Sequence, residues 1–94
     1  MSSNGQNLKV YLVDRDLPGI TLEQLAGAQQ AAIATSQQFT EAGKSVHYIR
    51  STFVPGEARC MCLFEAAEVG LVEEVNNTAQ LPYTRIIEAL DLTP

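Results

Sequence analysis

The chain has 94 residues, 46% hydrophobic and 18% charged, a globular rather than disordered composition in a length that holds one hydrophobic core. Six basic against eleven acidic side chains leave a net charge of −5. That balance argues against nucleic acid or a membrane surface as partner, because both need a positive field.

No apolar stretch approaches the ~20 residues that span a bilayer, and the polar start MSSNGQN lacks a signal-peptide core, so a cytoplasmic location is expected. Residues 1–7 are small, polar and without period, and are expected to form a disordered tail ahead of a single domain over 8–94. Residues 8–15 (LKVYLVDR) read as a strand, closed by the turn residues Asp16-Leu17-Pro18-Gly19. Thr21 followed three residues later by Gln24 is a capping box. The helix it opens runs over 22–42, with Leu22, Leu25, Ala28, Ala32 and Phe39 as its buried stripe and Gly43 as its stop. Residues 45–54 and 59–66 are strand-like runs joined by Pro55-Gly56-Glu57-Ala58, which predicts an antiparallel hairpin. A second helix over 67–79 carries Val72, Val75 and Ala79 at helical spacing and ends at Gln80-Leu81-Pro82. A last strand covers 84–92. The order βαββαβ is that of the α+β ferredoxin-like fold, a four-stranded antiparallel sheet with both helices on one face.

With a four-residue hairpin loop, Phe53 faces Cys60, Ser51 faces Cys62 and Ile49 faces Phe64. Side chains alternate along a strand, so this register sorts the hairpin into two faces. His47, Ile49, Ser51, Phe53, Cys60, Cys62 and Phe64 are expected beneath the helices. Tyr48, Arg50, Thr52, Val54, Arg59, Met61, Leu63 and Glu65 are expected on the bare side, joined by Tyr11, Val13 and Arg15 and by Ile86, Glu88 and Leu90. So large an exposed apolar patch marks an interaction surface. A second copy is the economical cover, which predicts a homodimer of the dimeric α+β barrel kind.

On the bare side, Arg50, with Tyr48, Tyr11 and Thr52, is expected to bind an anionic small molecule through its planar fork, and Glu65 or Glu88 to act as general base. The same charges are equally explained as salt bridges in a closed barrel, or the two carboxylates as ligands of a divalent metal. Cys60 and Cys62 form a C-x-C on one strand face, about 6.6–6.8 Å apart at Cα and so not readily bridged. They read as small buried hydrophobes, or with His47, the one imidazole, as soft-metal ligands. No Gly-rich phosphate loop, C-x-x-C, G-x-S-x-G or H-E-x-x-H occurs. The open functions are a homodimeric ligand-binding protein, a cofactor-independent isomerase, cyclase or monooxygenase, and a domain that packs on a different chain.

The segment Cys62-Leu63-Phe64-Glu65-Ala66, preceded by Arg50-Ser51 and followed by Leu81-Pro82 and Arg85-Ile86-Ile87-Glu88, resembles a family of small bacterial domains. Some of its members are described as nickel-binding proteins. The resemblance runs from about Leu8 to Leu92 and implies a ferredoxin-like fold, a homodimer and Ni²⁺ as a candidate ligand. Many of these relatives carry a His in the second helix where this chain has Val75.

Overall fold

The computed structural model describes residues 7–94. The tail expected over 1–7 lies, apart from Asn7, outside the described residues. Six elements follow in the expected order: β1 (Lys9–Asp16), α1 (Leu22–Glu41), β2 (Val46–Val54), β3 (Arg59–Ala66), α2 (Val69–Thr78) and β4 (Arg85–Ala89). The strands form one sheet in the order β2-β3-β1-β4, each neighbouring pair antiparallel. Helix α1 packs over β2, α2 packs over β3 and β4, and the helices touch each other on the same face of the sheet. This is the ferredoxin-like α+β arrangement. Among the described residues no helix is long and apolar enough to cross a membrane.

Both helix ends are set by local chemistry. At the start of α1 the Gln24 backbone N–H donates to Thr21 Oγ1 and the Thr21 N–H donates to Gln24 Oε1, both at 3.0 Å, so the capping box satisfies two orphan donors at once. At its end Lys44 N–H reaches the Phe39 carbonyl at 2.9 Å and Gly43 N–H the Thr40 carbonyl at 3.0 Å, with Gly43 at φ 92°. That is a Schellman motif with glycine where the chain turns left-handed. Helix α2 closes the same way, through Leu81 N–H on Asn76 O at 2.9 Å and Gln80 N–H on Asn77 O at 3.1 Å, but the left-handed residue is Gln80 at φ 58°.

The core under the helices contains Tyr11, Val13, Ala32, Val46, Cys60, Cys62, Phe64, Ala66, Val72 and Val75. Leu22, expected in the buried stripe of α1, is 76% exposed, because the helix has only just begun there and has not reached the sheet. The hairpin pairs as expected from Val54↔Arg59 through Ser51↔Cys62, then shifts at a β-bulge between Tyr48 and Arg50. Ile49 is the extra residue. Beyond it Tyr48, not Ile49, stands opposite Phe64, and His47 stands opposite Glu65. The bulge therefore exchanges two expected placements, turning Tyr48 beneath the helices and His47 to the open side.

The faces of β1 and β4 also differ from expectation. Tyr11, Val13 and Arg15 pair with Phe64, Cys62 and Cys60, so they lie under the helices, and Ile86 and Glu88, opposite Val13 and Tyr11, share that side. The open face carries Val10, Leu12, Asp14, Arg85 and Ile87 instead. Both β1 stripes are comparably apolar, and only the pairing register with β3 separates them.

Asp14 anchors the open face: its carboxylate takes Arg59 at 2.9 Å and Arg85 at 3.4 Å, and its carbonyl accepts the Thr84 N–H and hydroxyl. The hydrogen bond from Arg59, helped by Arg85 and opposed by burial, holds the Asp14 carboxyl below its ordinary range. A folded-state pKa below the unfolded one stabilises the fold above the usual carboxylate range and loses that contribution as pH falls through the folded value. Asp14→Asn is expected to lower the melting temperature by a few degrees at neutral pH, and thermal melts of variant and wild type should converge in strong acid. Gln80→Gly, which relieves the left-handed side chain, is expected to raise the urea-unfolding free energy by about 0.5–1 kcal/mol.

Candidate functional site

The most enclosed cavity among the described residues lies between α1 and the sheet, on the face opposite to the one expected from sequence. It measures about 350 Å³, within the range of small-molecule pockets of about 300–1,000 Å³. Its helix wall presents Leu25, Ala28, Gln29 and Ala32, its sheet wall Arg15, Tyr48, Ser51, Phe53, Cys60 and Cys62, and the loops add Leu17, Ile20, Leu81 and Pro82. Because α1 places alanines over β2 and β3, the helix and sheet leave space that larger side chains would fill. Leu17, Ile20 and Pro82 also border an open depression with Asp16, Pro18, Gly19 and Gln24, which marks this end as the mouth.

A line of polar groups runs along the sheet wall. Gln29 Nε2 donates to the Tyr48 hydroxyl at 3.0 Å, the Tyr48 and Ser51 hydroxyls lie 2.6 Å apart, and the Ser51 hydroxyl donates to Cys62 Sγ at 2.9 Å. Tyr48 is braced by an edge-to-face contact with Phe64, ring centroids 5.5 Å apart. Tyr48 and Ser51 are three residues apart, an odd spacing that puts regular strand neighbours on opposite faces, so the Ile49 bulge is what brings both hydroxyls to this wall.

Arg15 completes the wall. The residue is 4% exposed. Its Nε–H donates to Cys62 Sγ at 3.4 Å and Nη1 to the Pro82 carbonyl at 3.1 Å, an acceptor placed by the Schellman turn that ends α2. Its Nη2 is buried without a hydrogen-bond partner, and among the described residues Arg15 takes part in no ion pair.

The residues singled out from sequence are divided between the two faces. Arg50, Thr52, Glu65 and His47 are on the open side, while Tyr48, Tyr11, Cys60 and Cys62 lie beneath the helices. Arg50 pairs with Asp91, from the segment after β4, rather than with Glu65 or Glu88. Glu88 sits on the helix side of edge strand β4, 3.7 Å from Lys9 and well exposed. Neither Glu65 nor Glu88 lines the cavity. The expected shared cluster of Arg50, Tyr11, Tyr48, Glu65 and Glu88 does not form in one chain, because the Ile49 bulge and the β1 register send its members to opposite faces. The missed residues are Arg15 and Gln29. Arg15 belongs to the stripe of β1 expected on the bare side, which the register with β3 turns beneath the helices, and Gln29 belongs to the Gln-rich, largely solvated side of α1, where no sequence signal sets it apart.

The arrangement can be set against known proteins. A family model described as "Nickel responsive protein SCO4226-like" matches residues 11–89. The chain belongs to this family. No curated protein matches it. The crystal structure of SCO4226 from Streptomyces coelicolor A3(2) is similar to it with a TM-score of 0.75, covering 89% of this chain and 99% of that one at 24% identity. That similarity carries the shared fold.

The donor set of one chain does not fit a Ni²⁺ ion. Among the described residues no group of three or more His, Cys, Asp or Glu side chains converges. Cys60 and Cys62 are free, with sulfurs 3.8 Å apart, but the adjacent Arg15 guanidinium repels a cation. His47 stands on the other face, its Nε2 3.2 Å from Ser45 Oγ. Val75, on α2, is fully buried in the core.

Burial, followed by the neighbouring Cys62, pushes the Cys60 thiol up to about 11, against the smaller opposing influence of Arg15 and Ser51. Thiolate is the nucleophilic form, so Cys60 is expected to react with iodoacetamide at least tenfold more slowly than a free cysteine of ordinary pKa, about 8.5, when followed by peptide mass mapping at mildly alkaline pH.

Proposed function

We propose that the protein is a small-molecule receptor that works as a homodimer, taking its ligand between α1 and the sheet and pairing with a second copy through the open sheet face. The observation that carries the ligand reading is the cavity of about 350 Å³ with polar groups along one wall and apolar side chains over the rest. Specific small-molecule sites are mostly apolar with a few placed polar groups.

Support for the homodimer comes from the other face. Val10, Leu12, Met61 and Leu63 are only half-buried there, Ile87 is exposed, and Leu90 and Leu92 beyond β4 are 80% and 85% exposed. A second copy laid on this surface removes the patch from water at the centre, and most soluble homo-oligomers close by a twofold axis. On this reading the nickel response named in the family's description reaches this chain through the open face. His47 and Glu65 oppose each other across β2 and β3 there, and the second copy supplies further donors.

Ala28→Trp, which fills the cavity from the helix side, is expected to abolish stoichiometric binding of the small neutral fluorophore 1-naphthol while leaving the far-ultraviolet circular dichroism unchanged. Equal uptake by variant and wild type removes the receptor reading. Native mass spectrometry in the presence of Ni²⁺ should give the mass of two chains, with the same metal content for wild type and for Cys60→Ser/Cys62→Ser. A single-chain mass removes the homodimer.

A further inference from the structure

We infer that the ligand class of this cavity is a small apolar monocarboxylate, its charge held by Arg15; the inference rests on the receptor reading above. The buried guanidinium is the decisive group. Taking an arginine out of water is expensive unless the charge is paired, and the described residues provide it no carboxylate. What they provide is two neutral acceptors, the Cys62 sulfur and the Pro82 carbonyl, which hold Nε and Nη1 and leave Nη2 buried without a partner. A guanidinium held by two neutral acceptors with its third nitrogen free lacks one anion.

The surroundings narrow that anion. Arg15 is the one charged residue among those lining the cavity, and Leu17, Ile20, Leu25, Phe53 and Leu81 contribute large apolar side chains to the rest of the wall. A dianion such as phosphate would keep one unbalanced negative charge among these side chains, whereas one carboxylate balances one guanidinium. Arg15 and Ser51 both contact the Cys62 sulfur, at 3.4 and 2.9 Å, so the cation and a hydroxyl flank one atom. The polar demand of the ligand is thereby concentrated at its head. The cavity of about 350 Å³ limits the body to roughly a dozen non-hydrogen atoms, taking ~30 Å³ as the share of one water. An aryl or medium-chain alkyl acid has this size and this single charge.

The test uses the full chain and four probes: octanoate, 1-naphthoate and their neutral amides, octanamide and 1-naphthamide. Isothermal titration at neutral pH should show each carboxylate binding at least tenfold more tightly than its amide, and the Arg15 Nε–Hε resonance should shift when carboxylate is added. Arg15→Met should erase the preference while keeping the affinity for the amides. Should that variant fail to fold, the wild-type comparison and the Arg15 resonance decide alone. Amides that bind as tightly as carboxylates overturn the monocarboxylate assignment and leave the receptor reading standing. Absence of binding by all four probes overturns both.

Discussion

The structure depends on a single extra residue in β2. Ile49, bulged between Tyr48 and Arg50, reverses the alternation of side chains over the first part of that strand. Without it Tyr48 would face the open side, Phe64 would lose its edge-to-face partner, and the Ser51 hydroxyl would lose its contact with the tyrosine. A bulge leaves one residue unpaired and weakens the ladder locally. Here the disruption is offset by the hydrogen bonds it makes possible, from Gln29 on α1 through two hydroxyls to the Cys62 sulfur. The helix is thus bonded to the sheet through side chains at the place where its alanines leave the two layers unfilled.

Arg15 is the counterpart of that disruption on β1. A long cationic side chain beside Val13 in a mostly apolar interior is unfavourable for stability by itself. It is retained with its stem packed and two of its three nitrogens bonded. The turn after α2 shows the same preference for placement over local ease. A non-glycine residue in the left-handed region costs about 1–2 kcal/mol, yet the turn through Gln80 is what sets Pro82 where its carbonyl meets the guanidinium.

How much of this was legible in the sequence follows from the kind of signal each feature leaves. Element order, the capping box at Thr21 and Gln24, the Gly43 stop and the hairpin register from Val54 to Ser51 are local, carried by residues within a few positions of one another. Which stripe of β1 lies beneath the helices is decided by its pairing with a strand some fifty residues away, and Val10-Leu12 and Tyr11-Val13 are too alike to reveal it. A bulge at Ile49 is invisible to an alternation count, because one inserted residue leaves composition and loop length unchanged. The cavity is hidden for the same reason, since its walls include Tyr48 and Arg15, two of the side chains that the bulge and the β1 register turn beneath the helices.

The bond between Arg50 and Asp91 gives the sheet one more property. β2 and β4 are its opposite margins, three strand spacings or ~14 Å apart, and Asp91 lies two residues beyond the end of β4, so it is the long Arg50 side chain that spans much of the ladder to meet it. That side-chain ion pair links one rim of the sheet to the other. Any molecule approaching that surface meets this ion pair and the exposed Leu90 and Leu92 beside it together with the strands, and the imprint it would have to match belongs as much to these residues as to the sheet.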